Sequence, residues 1–325
     1  MLLTTFLFAL LLCGASSAAS VNTSTNKNVA TVASNHTSPS VTGTGVVWVT
    51  TASGHSNIYY KNLATGKTTK VASSVLNQYN PSISGNIIVW TQKNGKNINI
   101  YYKNLSSGYV GKVISSKLLQ DDAKVSGNTV VWTQVNSGTS YVYYKNLATG
   151  KNGKVQSSVL NQLQANIDGN NVIWTQTNHQ YTTSSLYLKN LITGTIKLIS
   201  SKETQVSSAI SGNYVTWQQY NPSVGSTVYV KNLKTGVTSK VLTSKEDQWV
   251  PAISGNYVVW QQGGLDGIVY MKNLITNVVS KVSSVNAAQW NPAISGNNIV
   301  WQQENSVNWF IYLKNIVTGK VTKLT

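Results

Sequence analysis

The chain of 325 residues contains no arginine: all 25 of its basic residues are lysine. Arginine is the residue that reads guanine edges and grips phosphate with a forked pair of hydrogen bonds. Its absence argues against sequence-specific nucleic-acid binding. The single cysteine, Cys13, lies in an apolar N-terminal stretch. Once that stretch is removed, neither disulfides nor thiolate chemistry are available, and stability must come from a packed core. Charge is also scarce, at 10% of residues, with only 8 acidic ones. Those acids are scattered, whereas general acid–base work needs two titrating groups converging on one substrate. The three histidines, His36, His55 and His179, show no metal-ligand spacing. Catalysis, metal and cofactor are therefore not expected. What replaces charge is Asn, Ser, Thr and Gln among many Val, Ile, Tyr and Trp, the composition of a folded β protein.

The first 19 residues, "MLLTTFLFALLLCGASSAA", join a short apolar run to small residues. This is the pattern of a cleaved secretory signal, too short for a membrane span. Residues 20–34 form an N-terminal segment in which "NVATVAS" copies the later "KTTKVAS", suggesting a ring-closing strand. The expected setting is extracellular or at the cell surface, with no membrane span after cleavage.

Self-similarity governs the rest. A tryptophan recurs at Trp48, Trp90, Trp132, Trp174, Trp217, Trp260 and Trp301, at intervals of 41 to 43 residues. Around it "QWVPAISGNYVVWQQ" is nearly repeated as "QWNPAISGNNIVWQQ" and "QYNPSISGNIIVWTQ". Each unit reads as four short β segments separated by Gly-Asn and Thr-Gly turns, with no helical period. One such unit cannot bury both faces of its sheet, but a ring of them can. The expectation is an all-β, seven-bladed propeller of four-stranded blades over residues 35–325. The continuous apolar run before each tryptophan then marks a strand buried on both faces, and the tryptophan itself is packing between blades.

The same units, as in "PAISGNYVVWQQ" followed by "IVYMKNLITN", resemble the TolB-like propeller repeats of secreted and cell-surface proteins, a group abundant in archaea. The resemblance spans all seven units. That pattern is richer in Asp and carries Tyr-Asp-Leu where this chain has Lys-Asn-Leu, as at Lys61-Asn62-Leu63.

Two polar features recur. Lysine ends the third strand of every unit at Lys61, Lys103, Lys145, Lys189, Lys231, Lys272 and Lys314. A second set follows on the fourth strand: Lys70, Lys112, Lys154, Lys197, Lys240, Lys281 and Lys323. Each pair is expected to face across the outer hairpin. The sets would then guard the sheet edges or form a girdle for polyanions. Glutamine opens the first strand at Gln78, Gln120, Gln162, Gln205, Gln248 and Gln289, with His36 in the first unit, and another closes most second strands. These amides are expected to ring one face. Beside them stand Tyr79, Trp249 and Trp290, flat surfaces suited to a sugar ring. Gln78, Gln248, Gln289, His36, Tyr79, Trp249 and Trp290 are thus the candidate ligand site. The expected function is a monomeric, non-catalytic envelope module that binds an envelope polymer or surface protein. The alternative is a carbohydrate-active lyase or glycosidase on the same scaffold.

Overall fold

The computed structural model describes residues 34–325, apart from 159, 179, 181, 182, 202, 265, 286 and 306. The proposed signal segment, nearly all of the N-terminal segment and His179 fall outside the described residues. Within them the chain forms seven antiparallel sheets of four strands, each ordered as in the sequence. Blade two serves as an example, with strands Gln78–Ser84, Ile87–Asn94, Asn97–Asn104 and Val110–Lys112 from the centre outward. The fold is a seven-bladed β-propeller, and among the described residues no helix occurs.

Local chemistry shapes each blade. The first hairpin turns on Gly-Asn, and Gly85 has a φ of 54°. A two-residue loop whose first residue is glycine at positive φ matches the right-handed twist of the flanking strands. The outer hairpin turns on the Asn of Lys-Asn-Leu. Asn62 Oδ1 accepts hydrogen bonds from the backbone of Ala64 and Thr65, at 2.9 and 3.0 Å. Asn104, Asn146, Asn190, Asn232, Asn273 and Asn315 repeat this Asx-turn.

The core lies between blades, not within them. Val47, Val49, Ile58 and Val71 of blade one pack on Ile83, Ile88 and Trp90 of blade two. All seven repeat tryptophans are at most 2% exposed. Each stacks on the third-strand tyrosine beside it, with centroids 5.7–6.2 Å apart. The last interface joins Val41, Val46 and Trp48 of blade one to Val300 and Ile311 of blade seven.

The ring closes without exchanging a strand. Blade seven keeps its own outer strand, Val321–Lys323, and blade one its own inner strand, Asn35–Thr42. Besides apolar packing, hydrogen bonds cross the seam, among them Asn298 Nδ2 to Gly43 O at 3.5 Å. Ser38 N donates to Gln302 Oε1 at 3.1 Å, and Trp309 N to Asn35 Oδ1 at 3.1 Å. Lys61 Nζ donates to Leu324 O at 3.2 Å.

Candidate functional site

The glutamines expected to ring a face are instead buried between blades. Gln78, Gln120, Gln162, Gln205, Gln248 and Gln289 are at most 1% exposed. The Oε1 of Gln78 accepts from Ile58 N at 3.1 Å, on the third strand of the preceding blade. Gln120, Gln162, Gln248 and Gln289 do the same for Ile100, Val142, Val228 and Val269. In blade two, Gln78 Nε2 donates to Gln92 Oε1 at 3.1 Å, and Trp90 Nε1 donates to the same oxygen at 3.4 Å. Tryptophan, closing glutamine, opening glutamine and the neighbouring backbone form one buried relay. A buried amide must find partners or cost about 1–3 kcal/mol, so this polar repeat belongs to the framework.

Blade one varies the theme. His36 Nδ1 lies 3.0 Å from Thr50 Oγ1, which also accepts from Trp48 Nε1 at 3.0 Å. His36 and Thr50 thus replace the glutamine pair at the seam. Across it, Ile311 N donates to Thr325 Oγ1 at 2.9 Å, the bond that a glutamine accepts elsewhere. Burial, and secondarily the charge of Lys323, hold the His36 imidazole below its ordinary value of 6.5.

The two lysine sets have different surroundings. Every third-strand lysine reaches the preceding blade and donates to a carbonyl at the end of its outer strand. Lys103, Lys145, Lys231, Lys272 and Lys314 bond to Val71, Val113, Ile199, Val241 and Val282 at 2.7–3.0 Å. Lys189 bonds to Val155, and Lys61 makes the seam bond. The outer-strand set, Lys70, Lys112, Lys154, Lys197, Lys240, Lys281 and Lys323, is exposed. The expected facing of the two sets is corrected by the register: Lys61 pairs with Thr68, while Lys70 pairs with Tyr59. All seven blades share this register, and in blade four, where the second lysine comes one residue earlier, Lys197 stands opposite Leu188. Some outer lysines lie over aromatic rings, with Lys154 Nζ 3.7 Å from the Tyr141 centroid and Lys323 Nζ 3.3 Å from Phe310.

Tyr79, Trp249, Trp290 and His36 are half-buried. Tyr79, Trp249 and Trp290 do not share a surface with the glutamines they follow, because consecutive strand residues point to opposite faces, whereas His36 takes the glutamine position itself. Each inner strand is also bulged just beyond this position. A residue there has positive φ in all seven blades: Ser38, Asn80, Asp122, Gln164, Ser207, Val250 and Asn291, at 47–53°. Trp290 meets Trp309 edge-on, with centroids 6.0 Å apart at 77°. Sequence reasoning missed Trp309. Its signal was "NWF", two adjacent aromatics in a hairpin where no other unit carries a tryptophan.

The acids gather unevenly. Asp121 and Asp122 lie within an inner strand, Gln120–Ser126, whereas Glu246 and Asp247 belong to the connection into blade six. Asp121 Oδ1 accepts from Thr91 Oγ1 at 2.9 Å, and Asp122 pairs with Lys124 at 2.5 Å. Asp247 Oδ1 takes Ser226 N at 2.6 Å, and Glu246 takes Gln262 Nε2 at 3.0 Å. Among the described residues no group of three or more His, Cys, Asp or Glu is placed to hold a metal ion.

No protein-family model and no curated protein matches the chain. Solved structures do. The acylaminoacyl peptidase of Pyrococcus horikoshii aligns over 90% of this chain and 52% of its own, at 12% identity and a TM-score of 0.70. The propeller domain of the Trilobed protease from Pyrococcus furiosus, described as having an open velcro topology, aligns over 90% of this chain and 98% of its own. It has 12% identity and a TM-score of 0.71. TolB from Acinetobacter baumannii aligns over 73% and 62%, at 17% identity and a TM-score of 0.54.

The likeness is one of fold. The chain spans about half the length of the peptidases it matches. This similarity nevertheless corrects the expected function. The propellers it resembles include those carried by peptidases, which argues against a non-catalytic envelope-binding module. The carbohydrate-active alternative finds no support in them either.

Proposed function

We propose that this chain is the propeller component of a peptidase assembly, with hydrolysis carried by another domain or chain. The supporting observation is the alignment with the isolated propeller domain of the Trilobed protease over 98% of that domain. In this chain no strand is exchanged across the seam, and each blade keeps its own four strands. Peptide hydrolysis requires a nucleophile within reach of a base, or a metal-bound water. In this reading the propeller supplies a rigid ring of bulged inner strands beside such a centre.

The test isolates the protein from its native cells with an antibody and assays the isolate on fluorogenic short peptides. A peptidase activity should accompany the native isolate and be missing from the recombinant chain alone. A native isolate with no more activity than a control antibody gives would refute the reading.

A further inference from the structure

Seven of the eight carboxylates belong to the same side of the ring as the connections into the first strands and the hairpins between second and third strands, or to the inner strands at that side; Asp168 ends its inner strand at the opposite side. Five of them, Glu203, Glu246, Asp247, Asp266 and Glu304, occupy the connections and hairpins of blades five to seven. Only two lysines, Lys202 and Lys245, fall in those same connections. In a chain of net charge +17, this sector is locally acidic.

The sector is also continuous. Glu203 Oε1 accepts from Asn221 at 2.9 Å within blade five. The Asp247 bond to Ser226 links blade six back to blade five, and Gln289 N donates to Gly267 O at 2.8 Å, linking blades six and seven. Its inner end holds the Trp290–Trp309 corner. Glu304 is the cross-strand partner of Trp309. Directly paired strand residues project from the same face with Cβ atoms about 5 Å apart. Two near-perpendicular indoles and a carboxylate therefore meet at one corner. Trp249 of blade six is half-buried on the adjacent inner strand.

A cation is the ligand that both parts of such a corner attract. Indole faces draw ammonium and guanidinium groups through the ring quadrupole, and the carboxylate adds Coulomb attraction. Long-range charge alone would favour acidic ligands on this protein, so a basic ligand must rely on a local site. We propose that the acidic sector of blades five to seven, with Trp290, Trp309 and Glu304 at its inner end, docks a peptide segment bearing lysine or arginine side chains. The choice of a peptide as carrier rests on the peptidase reading. The choice of a cation rests on the corner itself.

The full chain would be titrated with a short unstructured peptide of alternating lysine and serine, followed by calorimetry and tryptophan emission. Matched peptides with glutamate or glutamine in place of lysine serve as comparisons. The lysine peptide should bind best and shift the emission. Glu304→Gln combined with Glu246→Gln should weaken it by roughly threefold or more, as expected for partly exposed charges. Trp309→Phe should weaken it further, because phenylalanine is a poorer cation partner than tryptophan. If Trp309→Phe unfolds the ring, the glutamine pair, which keeps side-chain size, still decides. Lysine-peptide binding no stronger than that of either comparison would overturn the proposal, as would binding unchanged by the glutamine pair. Peptide binding is measured on the chain alone, whereas peptidase association is measured by co-isolated activity. Either reading can therefore fail while the other stands.

Discussion

Exchanging a lysine for methionine at two neighbouring places in blade two should give unequal results. Lys103 spans the gap between blades, and its Nζ lies 2.7 Å from Val71 O. Lys112 lies on the exposed outer strand, 5.8 Å from the Tyr101 ring centroid. Methionine keeps most of the apolar stem in both cases, so lost packing is small. A hydrogen bond from a charged donor contributes about 1.5–3 kcal/mol, and partial exposure of Lys103 places it near the lower end. For a chain of this size about 1.5 kcal/mol corresponds to a fall in Tm of roughly 2–3 °C. Lys112→Met should stay within about 0.5 kcal/mol of the parent. Each change removes one positive charge from the same blade, so relief of the overall repulsion largely cancels in the comparison. Thermal denaturation followed by circular dichroism and calorimetry measures both. Equal shifts would refute the reasoning, since the third-strand lysines would then act through net charge and not through the inter-blade bond.

Three other outcomes follow from the same framework. Stability should fall as pH drops below 6.5, because the folded state holds His36 at a lowered pKa and binds fewer protons than the unfolded chain. The loss continues until pH passes below the folded value, and His36→Gln should reduce it in urea titrations across the acid range. Gln120→Leu should cost about 1–3 kcal/mol, read as a lower urea midpoint, because it strands the Ile100 N–H and one acceptor at Gln134. Val250→Asn should stabilise the ring by about 1 kcal/mol, read as a raised Tm. Val250 is β-branched yet has a φ of 47° where Asn80 and Asn291 sit in the equivalent bulges.

The residues themselves announced the blades. The tryptophan at a fixed interval marks the repeat, and the Gly-Asn hairpins and the Asn-centred outer turn are local signals, each satisfied within one unit of the chain. Seven copies were enough to specify a ring, because a lone blade would leave both faces of its sheet wet. The paired-lysine expectation failed on a local detail. The outer turn closes two residues sooner than that expectation needs, pairing Lys61 with Thr68 and setting Lys70 opposite Tyr59.

The destinations of the polar repeats required tertiary structure. Gln78 reads as a surface amide until the ring places the Ile58 N–H, 20 residues upstream, against it. Lys103 likewise finds its carbonyl 32 residues away, in the preceding blade. Trp309 is one aromatic among many until the fold turns Trp290 edge-on to it and sets Glu304 alongside. The sequence determined the blade, since turns and strand patterns are read from neighbours in the chain. The tertiary structure decided which polar groups hold the ring together and which remain to meet a partner, since the atoms that satisfy them belong to the next blade.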